Sequence, residues 1–145
     1  MLIKKYILVA IFLNICFGQN WVQNQRTEKL FKEAVSTYNS GKYATTETIL
    51  NKIIDLNYKS FNEKSLLLLL KSQVALNESD GAKQTAKIFF SKYPTSRFLN
   101  HAMESIGDLF VNNSNYESAY RMYVRSKNLS NSNTYKIKIN SKLLK

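Results

Sequence analysis

The sequence predicts an all-helical chain, a solenoid of about three helical hairpins closed by a terminal helix. Three observations lead there. Glycine and proline number only four and one in 145 residues, too few for the turns of a many-stranded sandwich or barrel. Apolar residues recur at helical spacing along most of the chain. A pattern of small and aromatic residues also returns after about 36 positions. With 44% hydrophobic and 12% aromatic residues, the chain can build a core and is long enough for one domain.

The first segment, 1–18, reads as a secretory signal peptide and is set apart from the fold. Lys4 and Lys5 precede an apolar run from Tyr6 to Phe17, broken by Asn14, and Gly18 supplies the small residue of a cleavage site. The run is short for a bilayer span. Cys16 offers a competing reading as a lipid-anchored cysteine, although Ile15 stands where such a signal prefers a small residue. It is the one cysteine, so a chain cut after Gly18 would carry neither disulfide nor thiolate metal site.

Helices are expected at about 27–40, 43–56, 61–76, 80–92, 96–111 and 114–127. The first places Leu30, Ala34 and Tyr38 in one row and Phe31 and Val35 in another, with Thr27 to cap its start and Gly41 its end. Glu28 and Lys32 form an i, i+4 pair. The stretch SLLLLLKSQVAL is apolar around most of its circumference, as suits a helix covered on both sides. In the basic end, 128–145, Tyr135, Ile137 and Ile139 alternate like a strand, while Tyr135, Ile139 and Leu143 follow a helical row. A helix covering the solenoid's open end is the favoured reading, and the first helix of a fourth unit is the other.

The recurring pattern is clearest in GDLFVNNSNYESAYRMY: Gly107, then Tyr116, Ala119 and Tyr123. Its earlier copies are Ala34, Tyr43, Thr46 and Leu50, and a weaker one at Ser79, Ala82 and Ala86 that ends at Pro94. Tyr43, Ser79 and Tyr116 lie 36 and 37 residues apart. On these residues the region 26–127, in units of about 26–59, 61–94 and 96–127, resembles the tetratricopeptide repeat (TPR) family. The resemblance implies a right-handed superhelix of paired A and B helices with close approaches of Ala34 to Thr46 and Gly107 to Ala119. Within the family, KYPTSRFLNHAMESIGDLF is similar to junctions of exported units in outer-membrane assembly lipoproteins of the BamD type and in periplasmic cell-division coordinators.

The family's concave face, carried over by position, would comprise Glu28, Phe31, Val35, Tyr38 and Asn39 from the first A helix. The second would add Lys64, Leu67 and Lys71, and the third His101, Glu104, Asp108 and Asn112. Some of this face, Val35 and Leu67 above all, is equally readable as core. Phe31 and Val35 stand where the family's carboxylate-clamping set begins, so that clamp is not expected.

Little here suggests catalysis. His101 is the single histidine, and Glu104 and Asp108, one helical turn apart, read as a hydrated helix face. No phosphate loop, nucleophile elbow or HExxH pattern occurs, so neither enzyme activity, metal nor cofactor is expected. The expected role is a protein-interaction scaffold of the bacterial cell envelope, holding a peptide or partner domain in the A-helix groove. A second reading uses the charge. The formal net charge is +11, no acid follows Glu117, and Arg121, Arg125, Lys127, Lys136 and Lys138 form a basic patch that could hold an anionic membrane or polymer surface. An exported chain would not be expected to meet nucleic acid. N-terminal sequencing of the secreted product checks the export reading: the expected first residue is Gln19, and an intact Met1 on a cytoplasmic product would contradict it.

Overall fold

Gly41, Asn77 and Ser114, spaced 36 and 37 residues apart, all adopt left-handed backbone, with φ of 73°, 58° and 57°. They mark three helix ends built alike. At the first, the Lys42 N–H donates to the Thr37 carbonyl (2.9 Å) and the Gly41 N–H to that of Tyr38 (3.0 Å). The same pair of bonds recurs from Glu78 to Gln73 (2.8 Å) with Asn77 to Val74 (3.1 Å), and from Asn115 to Phe110 (2.8 Å) with Ser114 to Val111 (2.9 Å). This is the Schellman ending, which satisfies orphan carbonyls while reversing the chain. A residue at positive φ costs least as glycine, and Gly41 supplies it at the first turn.

The computed structural model describes residues 22–57 and 59–144. Seven helices and no strand occur among the described residues: α1 at 22–39, α2 (Tyr43–Asp55), α3 (Lys59–Ala75), α4 (Ser79–Lys92), α5 (Leu99–Asn112), α6 (Tyr116–Asn128) and α7 (Asn133–Leu143). The all-helical class is therefore as the sequence predicts, and the arrangement is compatible with an α-solenoid. Each hairpin packs on its neighbours in order: α2 on α3, α3 on α4 and α5, α4 on α5, α5 on α6, and α6 on α7. Tyr43, Ser79 and Tyr116, aligned by the repeat, are the first residues of α2, α4 and α6. The signal segment, Cys16 and Gln19 lie outside the described residues.

Local chemistry moves three helix starts. Helix α1 is already formed at residue 22, so Thr27 does not cap it; its hydroxyl donates to the Gln23 carbonyl (2.8 Å) from within the helix. Helix α5 begins at Leu99 instead of 96, because the Ser96 hydroxyl accepts the Phe98 N–H (2.9 Å) in a turn of its own. Helix α6 begins at Tyr116 instead of 114, with Asn115 as the cap accepting from the Ser118 N–H (3.1 Å). The ambiguous last segment is helical, capped by the Ser132 hydroxyl at the Tyr135 N–H (3.3 Å).

The hairpins share one packing rule with the sizes exchanged between copies. Ala34 in α1 and Leu50 in α2 lie in one apolar cluster, and Leu70 in α3 and Ala86 in α4 lie in the next. In the third hairpin the pair is Gly107 and Tyr123: a Cβ built on Gly107 would meet the Tyr123 ring at 2.5 Å. Small faces large in each copy, but in the second the large residue is on the A helix, which is why that copy is faint in sequence. The atoms nearest a Cβ at Gly107 are those of the Tyr123 ring, which fills the space over the glycine. Thr46, Ala82 and Ala119 occupy one further position of the B helices and are buried in all three.

Tyr116 departs from the packing role expected of it and is 67% exposed. Its counterpart Tyr43 is held edge-on by Tyr38 (centroids 5.4 Å apart), but at Tyr38's place the third hairpin has Val111, too short to cover a ring.

The Gly107 contact yields a stability test. Gly107→Ala should destabilise by about 1–3 kcal/mol through overpacking, read as a lowered midpoint in thermal melts followed by circular dichroism. Gly107→Leu should cost more, and adding Tyr123→Ala, which recreates the Leu70–Ala86 arrangement, should restore part of the loss. An unchanged melting temperature for Gly107→Ala would contradict the packing.

Candidate functional site

Helices α1, α3, α5 and α7 share one side of the stack, and a cavity of about 350 Å³ opens between them. Its wall follows the repeat. Tyr38 comes from α1, Lys71, Val74 and Ala75 from α3, Glu104, Ser105, Asp108 and Asn112 from α5, and Lys138 and Lys142 from α7. Lys71 and Asp108 occupy the same register position in successive A helices, as do Ala75 and Asn112. The register rows of the expected concave face differ in fate.

The row of Phe31, Leu67 and Glu104 points between successive A helices. Phe31 stacks on Phe61 of α3 (centroids 5.8 Å apart) and packs on an apolar cluster. Leu67 is buried in the central core. Phe31, expected in the groove, is half-buried against this packing, and Leu67, which could be read either way, lies in the core. Glu104 takes the same place against α7 with its side chain only 8% exposed, which corrects its reading as part of a hydrated face.

Such a carboxylate needs partners, since an unpaired buried charge is strongly unfavourable. Glu104 Oε1 accepts from Lys138 Nζ (2.7 Å) and Lys142 Nζ (2.8 Å), and Oε2 accepts the Tyr135 hydroxyl (3.0 Å). Burial pushes the carboxyl pKa up, but the hydrogen bonds and charges of the two lysines outweigh it and hold it at about 2. Lys142 also donates to both oxygens of Asp108 (2.6 and 2.8 Å), and the Tyr123 hydroxyl donates to Asp108 as well (2.6 Å). Burial lowers the Lys142 pKa, and the bonds to Asp108 and Glu104 raise it further than burial lowers it. Burial and the neighbouring carboxylates push both the Tyr123 and Tyr135 hydroxyls well above their usual value.

Around this network the polar contacts continue inward. The Ser126 and Tyr135 hydroxyls share a 2.6 Å hydrogen bond, and the Asn100 carbonyl accepts from both (2.7 and 3.1 Å). Ser126 holds the register place of Ile53 and Phe89, all three fully buried. The polar substitution coincides with the arrival of Tyr135. His101 stands edge-on to the Tyr135 ring (centroids 5.0 Å apart) and 3.7 Å from Glu104. Burial, and then the Lys71 charge, lower its pKa.

The other expected site residues are dispersed. Glu28 pairs with Lys32 (2.7 Å) on the exposed side of α1, and Asn39 and Lys64 are exposed. Val35 is half-buried. The basic patch is smaller than its sequence suggests. Lys138 is committed to Glu104, and Arg121 is paired with Glu117 one turn away. Among the described residues Arg125, Lys127 and Lys136 enter no ion pair. The site role of Lys142 was missed in the sequence, where it read as one more cation of the basic end and gave no signal beyond its place one turn after Lys138.

Compared with protein-family models, with curated proteins and with solved structures, the chain matches none of them. Among the described residues no group of three or more His, Cys, Asp or Glu side chains is placed to hold a metal ion, and no helix is long and apolar enough to cross a membrane.

The pKa of Glu104 lies below its ordinary value of 4.5, so its stabilisation is present above that value and is lost as pH falls toward 2. Glu104→Gln should therefore lower stability at pH 7 by on the order of 1–3 kcal/mol. It should also flatten the loss of thermal stability between about pH 5 and 2, as read in melts at stepped pH. Equal melting of variant and parent at pH 7 would contradict the network.

Proposed function

We propose that this chain is a non-catalytic adaptor that holds a peptide or partner segment in the cavity along its A helices, exported to the bacterial cell envelope. The fold behind that reading would be a right-handed, tetratricopeptide-like superhelix. The recurrence of one turn geometry at Gly41, Asn77 and Ser114 supports it. The observation that carries the function is the cavity itself: successive A helices contribute Tyr38, Lys71 and Asn112 to one open wall instead of burying them. Arrays of this type present such a surface to extended or helical peptides. Export rests on the signal-like character of residues 1–18. The likeness of one junction to BamD-type assembly lipoproteins supports an outer-membrane assembly role as an alternative.

The basic end offers a second mode, favoured by Arg125, Lys127 and Lys136, which enter no ion pair among the described residues. Salt separates the two. Groove binding through partly desolvated groups changes little with moderate salt, whereas attraction to an anionic surface falls steeply with it. Capture from envelope extract at two ionic strengths, with Tyr38→Ala/Asn112→Ala and with Arg125, Lys127 and Lys136 neutralised, tests the choice. The groove variant should lose its specific partners by at least about tenfold, or 1.4 kcal/mol, at both salts. If it retains them all while the neutralised basic end loses them, the adaptor reading is wrong.

A further inference from the structure

The groove carries an unbalanced charge. Its lining includes three ammonium groups, Lys71, Lys138 and Lys142, and two carboxylates, Glu104 and Asp108. Both carboxylates are already engaged by α7. Lys138 and Lys142 hold Glu104, and Lys142 also holds Asp108. Lys71 enters no ion pair among the described residues. It is half-buried on the middle A helix, one step in register from Asp108. Burial lowers its pKa, with Lys138 and Lys142 acting in the same direction against Glu104 and Asp108. Neutral polar groups flank it in the same wall. Tyr38 brings a hydroxyl, and Asn112, which gives one amide hydrogen to the Val74 carbonyl (3.3 Å), keeps a second to donate.

We propose that this cavity receives an acidic side chain of a partner peptide, its carboxylate set against Lys71 and within reach of Tyr38 and Asn112. The inference rests on the adaptor reading and specifies the partner's chemistry. One uncompensated cation matches a monoanion, whereas a phosphate dianion would face the repulsion of Glu104 and Asp108 with only one cation unpaired. A flat lipid surface does not reach a lysine half-buried in a concave wall. A carboxylate entering this partly desolvated site gains more from a single ion pair than it would on an open surface.

Fluorescence anisotropy with a short labelled peptide of glutamate and alanine, capped at both ends, tests the proposal on the mature chain. The capped peptide should bind, and its glutamine analogue should bind at least about tenfold more weakly. Lys71→Met, which keeps the apolar stem and should melt like the parent, should weaken the glutamate peptide by a similar factor. Lys71→Arg should retain most of the binding. Inorganic phosphate should compete only through general ionic strength, matched by chloride. The proposal is overturned if Lys71→Met binds as the parent does, if the glutamine analogue binds equally, if no capped peptide binds, or if phosphate displaces the peptide at concentrations where chloride does not. Loss of extract partners from Tyr38→Ala/Asn112→Ala, alongside equal binding of the two peptides, would remove the acidic specificity and leave the adaptor reading standing. Retention of all partners by that variant removes both.

Discussion

Glu104 is the group on which the concave side depends. It occupies a register place that is apolar in the two preceding hairpins, at Phe31 and Leu67, and it is at least as buried as they are. A lone carboxylate there would be costly, so the position dictates what must cover it: a helix presenting two ammonium groups one turn apart and an aromatic hydroxyl. Helix α7 supplies them as Lys138, Lys142 and Tyr135. The apolar seal by Tyr135 and Ile139 against Ala119 and Tyr123 then fixes the same helix on α6. Terminal helices of stacked arrays need one face for the stack and one for water. In α7 the side facing α5 is partly ionic, which ties the helix to one register, since a helix turned by a residue would carry its lysines away from Glu104.

That arrangement has a consequence for recognition. The acids that would make the groove attractive to a basic partner are neutralised from within, and the cation contributed by α3 enters no ion pair among the described residues. Helix α7 thus sets the sign of the charge the groove presents. The basic end is reduced by the same contacts, because Lys138 and Lys142 are engaged by Glu104 and Asp108, which leaves the exposed Arg125 and the half-buried Lys127 and Lys136 without an ion pair among the described residues.

What the sequence made legible follows from range. The helices, their order and the three turns were readable because caps, turn residues and i, i+4 rows act over a few positions. Tyr43, Ser79 and Tyr116 accordingly mark true helix starts. Gly41 announced its positive φ, whereas Asn77 and Ser114 hid the same geometry behind residues common in loops. The exchange of large and small between Leu70–Ala86 and Gly107–Tyr123 was obscured because the pattern fixes a summed volume across two helices and not a residue at either place. The candidate site was the least legible part. Lys71, Tyr38 and Asn112 were placed on the face that lines the cavity, Leu67 was readable either way, and Phe31 was not separable from them without the A-to-A packing. The pairing of Lys138 and Lys142 with residues 34 positions earlier had no local signature.

The central claim is that the concave wall around Lys71, and not the basic end, is where this chain meets an acidic partner. Amide and lysine side-chain chemical-shift mapping during titration with the capped glutamate peptide tests it most directly. The account predicts saturable shifts concentrated at Tyr38, Lys71 and Asn112, with Arg125, Lys127 and Lys136 unmoved. Shifts confined to the basic end, with the groove residues unchanged, would contradict it.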